Sequence, residues 1–75
     1  MTPDAYVFIN TLIGDEKKVF NKVKKLESVE EVYLLYGLYD VLAKVHGKTR
    51  EDLKGQISNL RNIKGLRSTL TYESL

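Results

Sequence analysis

The sequence predicts an α+β domain of order β-α-β-β-α-β, with a four-stranded antiparallel sheet carrying both helices on one face. Strand signals come from the β-branched and aromatic runs Tyr6–Ile13, Val29–Tyr36 and Tyr39–His46, and from the alternating run Leu66–Tyr72. Helix signals come from apolar residues at helical spacing after Glu16 and again after Thr49. At 75 residues there is room for one domain, and a chain of this length buries only about 60% of its unfolded surface.

The first strand, Tyr6–Ile13, stops at Gly14-Asp15, where turn chemistry takes over. Val19, Phe20, Val23 and Leu26 then share one helical face, with Asp15 placed to cap the helix. Lys17, Lys18, Lys22, Lys24 and Lys25 fill the other positions and read as a solvated surface, or alternatively as a docking face for an acidic partner. Strands two and three are separated by Gly37-Leu38, which suits a type II′ turn with positive φ at Gly37. That turn pairs Tyr36 with Tyr39, Leu34 with Val41 and Val32 with Ala43 on one side, the drier one. Leu35 with Asp40, Tyr33 with Leu42 and Glu31 with Lys44 lie on the other.

Thr49-Arg50-Glu51-Asp52 has the form of a capping box, with Asp52 reaching back to the Thr49 amide. Leu53, Ile57 and Leu60 form the apolar stripe of the helix that follows. Past Gly65, Leu66, Ser68, Leu70 and Tyr72 alternate with Arg67, Thr69 and Thr71. This is the split order of ferredoxin-like domains, in which right-handed crossovers bring both helices to one face. The other face would expose Tyr33, Leu35 and Leu42 together with one parity of the first strand. An open apolar face of several hundred Å² is more than a monomer usually leaves wet, so a dimeric α/β sandwich through this face is expected.

Composition removes several classes of function. There is no Cys and one His, so neither a disulfide nor a structural zinc is expected. A net charge of +2 is too small for a protein whose main partner is a nucleic-acid backbone. Met1-Thr2-Pro3-Asp4 carries no basic leader, and no apolar run approaches the roughly 20 residues that span a bilayer, so a cytoplasmic, membrane-free protein is expected. Gly14, Gly37, Gly47, Gly55 and Gly65 are scattered and form no phosphate cradle. No cofactor or metal is expected, and no catalytic residue is assigned. His46 has no recognisable local partner as a general base.

Asp40 stands out as a carboxylate inside the apolar stretch Tyr36–Leu42. It admits two readings. It satisfies loop amides, or it takes the ammonium of a small zwitterion whose carboxylate meets the amides around Gly37. Thr69 and Thr71 add hydroxyls from one side of the last strand, where Thr is also a routine residue.

The runs Val32–Leu42 and Gly65–Thr71 resemble the effector-binding domain of the Lrp/AsnC (feast/famine) transcription regulators, with their G-x-Y-D hairpin and G-V-x-x-T-x-T strand. The likeness extends from the first strand to Thr71. It implies an amino-acid-sensing regulatory module that dimerises through its sheets and assembles into tetramers of dimers, with the effector between dimers. Carried over, Gly37, Tyr39 and Asp40 match the hairpin motif, Leu38 its variable position, and Thr69 and Thr71 the strand motif, so that these six form the expected ligand set. Leu66 stands where Val is usual and keeps an apolar position. The family's full-length regulators carry an N-terminal helix-turn-helix, and this chain opens almost directly into the first strand. A stand-alone module that does not itself bind DNA, and that forms mixed assemblies with full-length relatives, is therefore expected. The alternatives are a small dimeric α+β-barrel enzyme using His46 or a Tyr, and a purely structural oligomerisation unit in which Asp40 only braces a turn.

Overall fold

The computed structural model describes residues 2–75. The elements are β1 (Asp4–Thr11), α1 (Glu16–Lys24), β2 (Val29–Leu34), β3 (Val41–His46), α2 (Arg50–Arg61) and β4 (Leu66–Glu73). They form one antiparallel sheet in the order β2-β3-β1-β4. The expected class and order are those observed.

Parity within β1 decides the architecture. Ala5, Val7 and Ile9 turn inward with Val41, Ala43 and Val45 of β3, against Val19 and Val23 of α1 and Leu53, Ile57 and Leu60 of α2. These small branched side chains pack closely enough that all but Ile57 are wholly buried. Tyr6, Phe8 and Asn10 are left on the opposite face. They are joined there by Tyr33 and Leu42, which pair across β2 and β3, and by Ser68, Leu70 and Tyr72 of β4.

The strands differ from the predicted ones at their ends. β1 begins at Asp4, because both neighbouring segments run past it: Ser74 donates its amide to the Asp4 carbonyl (2.8 Å) and Gly47 donates to Pro3 (3.1 Å). It stops before Leu12-Ile13, where Asp15 closes a turn onto the Leu12 carbonyl and Ile13 is 97% exposed. Asp15 holds the N-cap position of α1 but makes no side-chain cap bond. Its φ of −96° and ψ of 6° are not the extended conformation that aims a capping carboxylate at the helix amides.

The ribbon register of β2 and β3 is the predicted one from Glu31↔Lys44 to Leu34↔Val41, and the Leu35 amide still donates to the Asp40 carbonyl (2.7 Å). The turn is not type II′. The positive-φ glycines are Gly14 and Gly65, so Gly37 lacks the required conformation and Tyr36–Tyr39 form an open loop in which Tyr36 and Tyr39 do not pair. Tyr39 instead lies against Phe8, with ring centroids 5.4 Å apart, and the Asp40 amide donates to Ile9 of β1. These contacts with β1 hold the chain outside a tight two-residue reversal.

Two irregularities re-aim side chains. In β4 the pairing shifts between Asn10↔Ser68 and Thr11↔Leu66, making Arg67 an extra residue. Leu66 therefore packs on the core instead of sharing the open face with Leu70, contrary to simple alternation. In β2 a shift between Val29 and Glu31 frees Glu30, whose carboxylate comes to 3.8 Å from His46.

At the start of α2, the Asp52 amide donates to the Thr49 hydroxyl (3.0 Å), while the Asp52 carboxylate accepts from the Lys48 amide (2.8 Å), one residue before the predicted partner. Thr49→Ala should cost about 1 kcal/mol, read from urea denaturation. The Lys48 amide, and after it the Gln56 side chain, hold the Asp52 carboxyl below its ordinary range. A carboxyl lowered on folding stabilises the fold above its unfolded pKa of about 4, and that stability is lost as pH falls through the folded value. Asp52→Asn should therefore flatten the acid limb of a stability-versus-pH curve and leave its neutral slope unchanged. An acid limb identical to wild type would remove this assignment.

Candidate functional site

The six expected ligand residues fall into two groups. Gly37, Leu38, Tyr39 and Asp40 sit on the hairpin loop at one end of the sheet, with Leu38 90% exposed at its tip. Asp40 is the anchored member. Its Oδ2 accepts the Thr11 amide at 2.8 Å and the Thr11 hydroxyl at 3.2 Å. Thr11 is itself buried, 6% exposed, so Asp40 serves β1 as a brace: it satisfies a strand-end amide that would otherwise be left without a partner. Both bonds use the same oxygen, which leaves the fold's demand on the carboxylate concentrated on one side.

The second group lies on β4. Thr69 and Thr71 pair with Ile9 and Val7, inward-facing positions, and so point to the helix side of the edge strand. Thr71 lines a cleft of about 480 Å³ between β4 and α2. Its hydroxyl accepts from Arg61 Nη2 at 3.4 Å.

Within one chain the groups do not meet. Thr71 aligns through Val7 with Ala43, and Asp40 lies two strands across and three residues further on. With strands about 4.8 Å apart and about 3.3 Å per residue, that separation is on the order of 14 Å. One Cα bears both the ammonium and the carboxylate of an amino acid, so Asp40 and Thr71 of a single copy cannot grip both.

Tyr39 occupies a third environment. Its ring tilts onto Phe8 on the open sheet face, and Phe8 in turn meets Tyr72 edge-on at 6.1 Å. The hairpin is thereby joined to the apolar surface expected to pair with another copy. A separate apolar area lies at the loop end, where the Thr11–Asp40 bonds bring Leu12 and Ile13 beside the hairpin that carries Tyr36 and Leu38.

The polar remainder of the open face holds Asn10 and Ser68, joined at 3.2 Å, and a cluster of titratable side chains. His46 Nδ1 lies 3.0 Å from Asp4 and 3.8 Å from Glu30, which gives this His the partners its flanking sequence did not reveal. Lys44 pairs with Glu31 at 3.7 Å. Its ammonium is favoured first by the Tyr6 phenol and then by Glu30, Asp4 and Glu31, which together outweigh the opposing effect of burial. The Tyr33 hydroxyl donates to Glu31, and that bond raises its pKa. These groups knit three strand ends together.

Thr11 and Arg61 are the site residues that sequence reading misses. Thr11 reaches Asp40 across 29 residues, and Arg61 looks like any outward residue of an amphipathic helix.

Comparison with known proteins agrees with the fold. Homocitrate synthase from Sulfolobus acidocaldarius is 40% identical over 53 residues, which is 71% of this chain and only 11% of that enzyme. The crystal structure of FFRP-DM1 superposes with a TM-score of 0.92 over 100% of both chains at 30% identity. The transcriptional regulator NMB0573 from Neisseria meningitidis, solved as a complex with L-Met, shares the fold at a TM-score of 0.82 and 17% identity. That match covers 97% of this chain and 49% of the regulator. Residues 4–75 match the family described as the Lrp/AsnC ligand binding domain, and the chain belongs to that family.

Proposed function

We propose that this protein binds a free amino acid between copies of itself and transmits occupancy to transcription through assembly, either alone or mixed with full-length Lrp/AsnC regulators. The observation that carries the reading is the separation of the two ligand groups. The hairpin with Asp40 and the strand with Thr71 are each intact in one chain, and both reach one zwitterion only when a second copy brings them together. In this reading Asp40 takes the ammonium with the oxygen that Thr11 does not use. The amides from Gly37 to Tyr39 and the hydroxyls of Thr69 and Thr71 supply the remaining polar contacts. The NMB0573 complex with L-Met supports the ligand class.

Two apolar surfaces suit the assembly. The open face around Phe8, Tyr33, Leu42 and Leu70 pairs two copies, and the loop end with Ile13, Tyr36 and Leu38 joins dimers into a tetramer of dimers. The protein acts in the cytoplasm, without contacting DNA or membrane itself. No described helix is long and apolar enough to cross a membrane.

Calorimetry against the twenty protein amino acids, with native mass spectrometry on the same samples, tests this. At least one amino acid should bind to an oligomer. Asp40→Asn should keep the fold and lose about 1.5–3 kcal/mol of binding, roughly 10- to 100-fold in Kd. A wild-type protein silent to the whole panel would sink the proposal.

The homocitrate synthases favour a second reading, in which this kind of domain regulates a biosynthetic enzyme instead of a DNA-binding protein. Subunit exchange with a purified full-length regulator, compared with a purified homocitrate synthase, separates the two.

A further inference from the structure

We infer that Asp4, Glu30 and His46 form a binding site for a divalent cation of the zinc class, at the end of the sheet opposite the hairpin loop. The site stands apart from the proposed effector contacts. Asp4 is five residues along β1 from Ile9, whose carbonyl receives the Asp40 amide, a separation of about 16 Å at the rise of a strand.

Three neighbouring strands deliver the ligands. Asp4 of β1 stands opposite His46 of β3, and both have the outward parity, since Ala5 and Val45 beside them are buried in the core. Glu30 comes from β2, at the register shift between Val29 and Glu31. Strict alternation would put Glu30 and Glu31 on opposite faces. The bulge lets both carboxylates reach the side that carries Lys44 and His46.

Main-chain bonds fix two of the ligands in place. The Asp4 amide donates to the Ser74 hydroxyl (3.1 Å), and the Asp4 carbonyl accepts from the Ser74 amide (2.8 Å) and hydroxyl (3.0 Å). The His46 amide donates to the Ser28 carbonyl (2.7 Å). A cation therefore has little backbone left to order.

The distances fit coordination. His46 Nδ1 lies 3.0 Å from Asp4 Oδ1 and 3.8 Å from Glu30 Oε1, and the three donor atoms all fall within 4.8 Å of one another. Zinc holds imidazole nitrogen and carboxylate oxygen at about 2.0–2.2 Å, so neighbouring ligands of a tetrahedral ion stand about 3.4 Å apart. The side chains of Asp4, His46 and Glu30 are all partly open to solvent, and small rotations close the difference.

Charge points the same way. Among the described residues, His46 is the only hydrogen-bonding or ion-pairing partner of either carboxylate. One ring nitrogen cannot donate well to both, and two carboxylates this close repel each other. Lys44 feels both of them but is paired with Glu31 at 3.7 Å. Three carboxylates thus face one ammonium and a neutral imidazole, an excess of negative charge that a divalent cation cancels. A nitrogen among the donors favours zinc over magnesium and calcium, which take oxygen ligands, and water completes the coordination. The ligands stand at positions 4, 30 and 46 and meet only in the sheet, which is why the sequence alone gives no reason to expect a metal.

Calorimetry with Zn²⁺ on tag-free, chelator-treated protein at neutral pH tests the site. One ion should bind per chain, and excess Mg²⁺ should not compete. His46 is the only imidazole of the chain, so NMR of its ring nitrogens reports this site alone, and zinc should shift the Nδ1 signal. Glu30→Gln and Asp4→Asn keep the main-chain bonds and should each weaken zinc by about tenfold or more, at least the cost of losing a supporting residue around a metal. His46→Ala should abolish binding, and Glu51→Gln, on the exposed side of α2, should not change it. Equal zinc affinity in wild type, Glu30→Gln and Asp4→Asn would mean an adventitious ion on a lone imidazole and overturns the inference. So do ring signals that follow pH but ignore zinc, the behaviour of an ion pair bridged by a proton.

Discussion

Replacing Phe8 with glutamate should leave a folded monomer. Phe8 sits at the middle of the open sheet face, paired with Leu42 on one side and Leu70 on the other and touched by the rings of Tyr39 and Tyr72. It lies outside the core cluster, so its loss leaves the packing of β1 and β3 against the helices intact. Sheet-to-sheet pairing would enclose two copies of the new carboxylate in an apolar layer. Burying an unpaired charge costs several kcal/mol even after relaxation, enough to cancel the gain of a standard interface of about 800 Å² per partner. Analytical ultracentrifugation should show the mass of a single chain, with far-UV circular dichroism unchanged. An oligomer of wild-type size would place the pairing surface elsewhere. Because Tyr39 connects the hairpin to Phe8, the same variant should also weaken amino-acid binding.

Gly47→Ala should be the most damaging small substitution. Gly47 joins β3 to α2, where a Cβ would lie 2.6 Å from the Leu53 amide nitrogen and 2.7 Å from its Cα. Those are backbone atoms of α2, and they can yield only if the helix shifts as a unit off the sheet. Overpacking of this kind costs about 3 kcal/mol or more. Domains have about 0.05–0.15 kcal/mol of stability per residue, so this is a large share for a chain of this size. The midpoint of thermal unfolding should fall by roughly 12 °C or more. A melting curve within a few degrees of wild type would mean that α2 has more freedom over β3 than its packing indicates. Gly65 is constrained differently: it needs positive φ (100°) as well as space beside Val19.

Much of the fold was legible in the chain because the signals were local. The stripe Leu53, Ile57 and Leu60 is buried as its spacing requires, and the register from Glu31↔Lys44 to Leu34↔Val41 follows from the two runs and their separation. The residues flanking Gly37 favour a type II′ turn, whereas Phe8 and Thr11 of another strand hold the loop open. The capping role given to Asp15 failed for a similar reason, since its backbone takes up the turn that closes onto Leu12.

Residue types and their periodicity were enough to determine the order of elements, the apolar face of each helix and the hairpin register, and resemblance to a known family singled out Gly37–Asp40 and Thr69–Thr71. These are properties of neighbours in the chain, where a period of 2 or 3.6 already says which side chains share a surface. Only the tertiary structure decided which parity of β1 faces water, that Leu66 turns inward at a bulge, that Thr11 anchors Asp40, and that Arg61 reaches Thr71. Each of those depends on a contact between different elements, set by how the sheet and helices pack and carried by no local pattern.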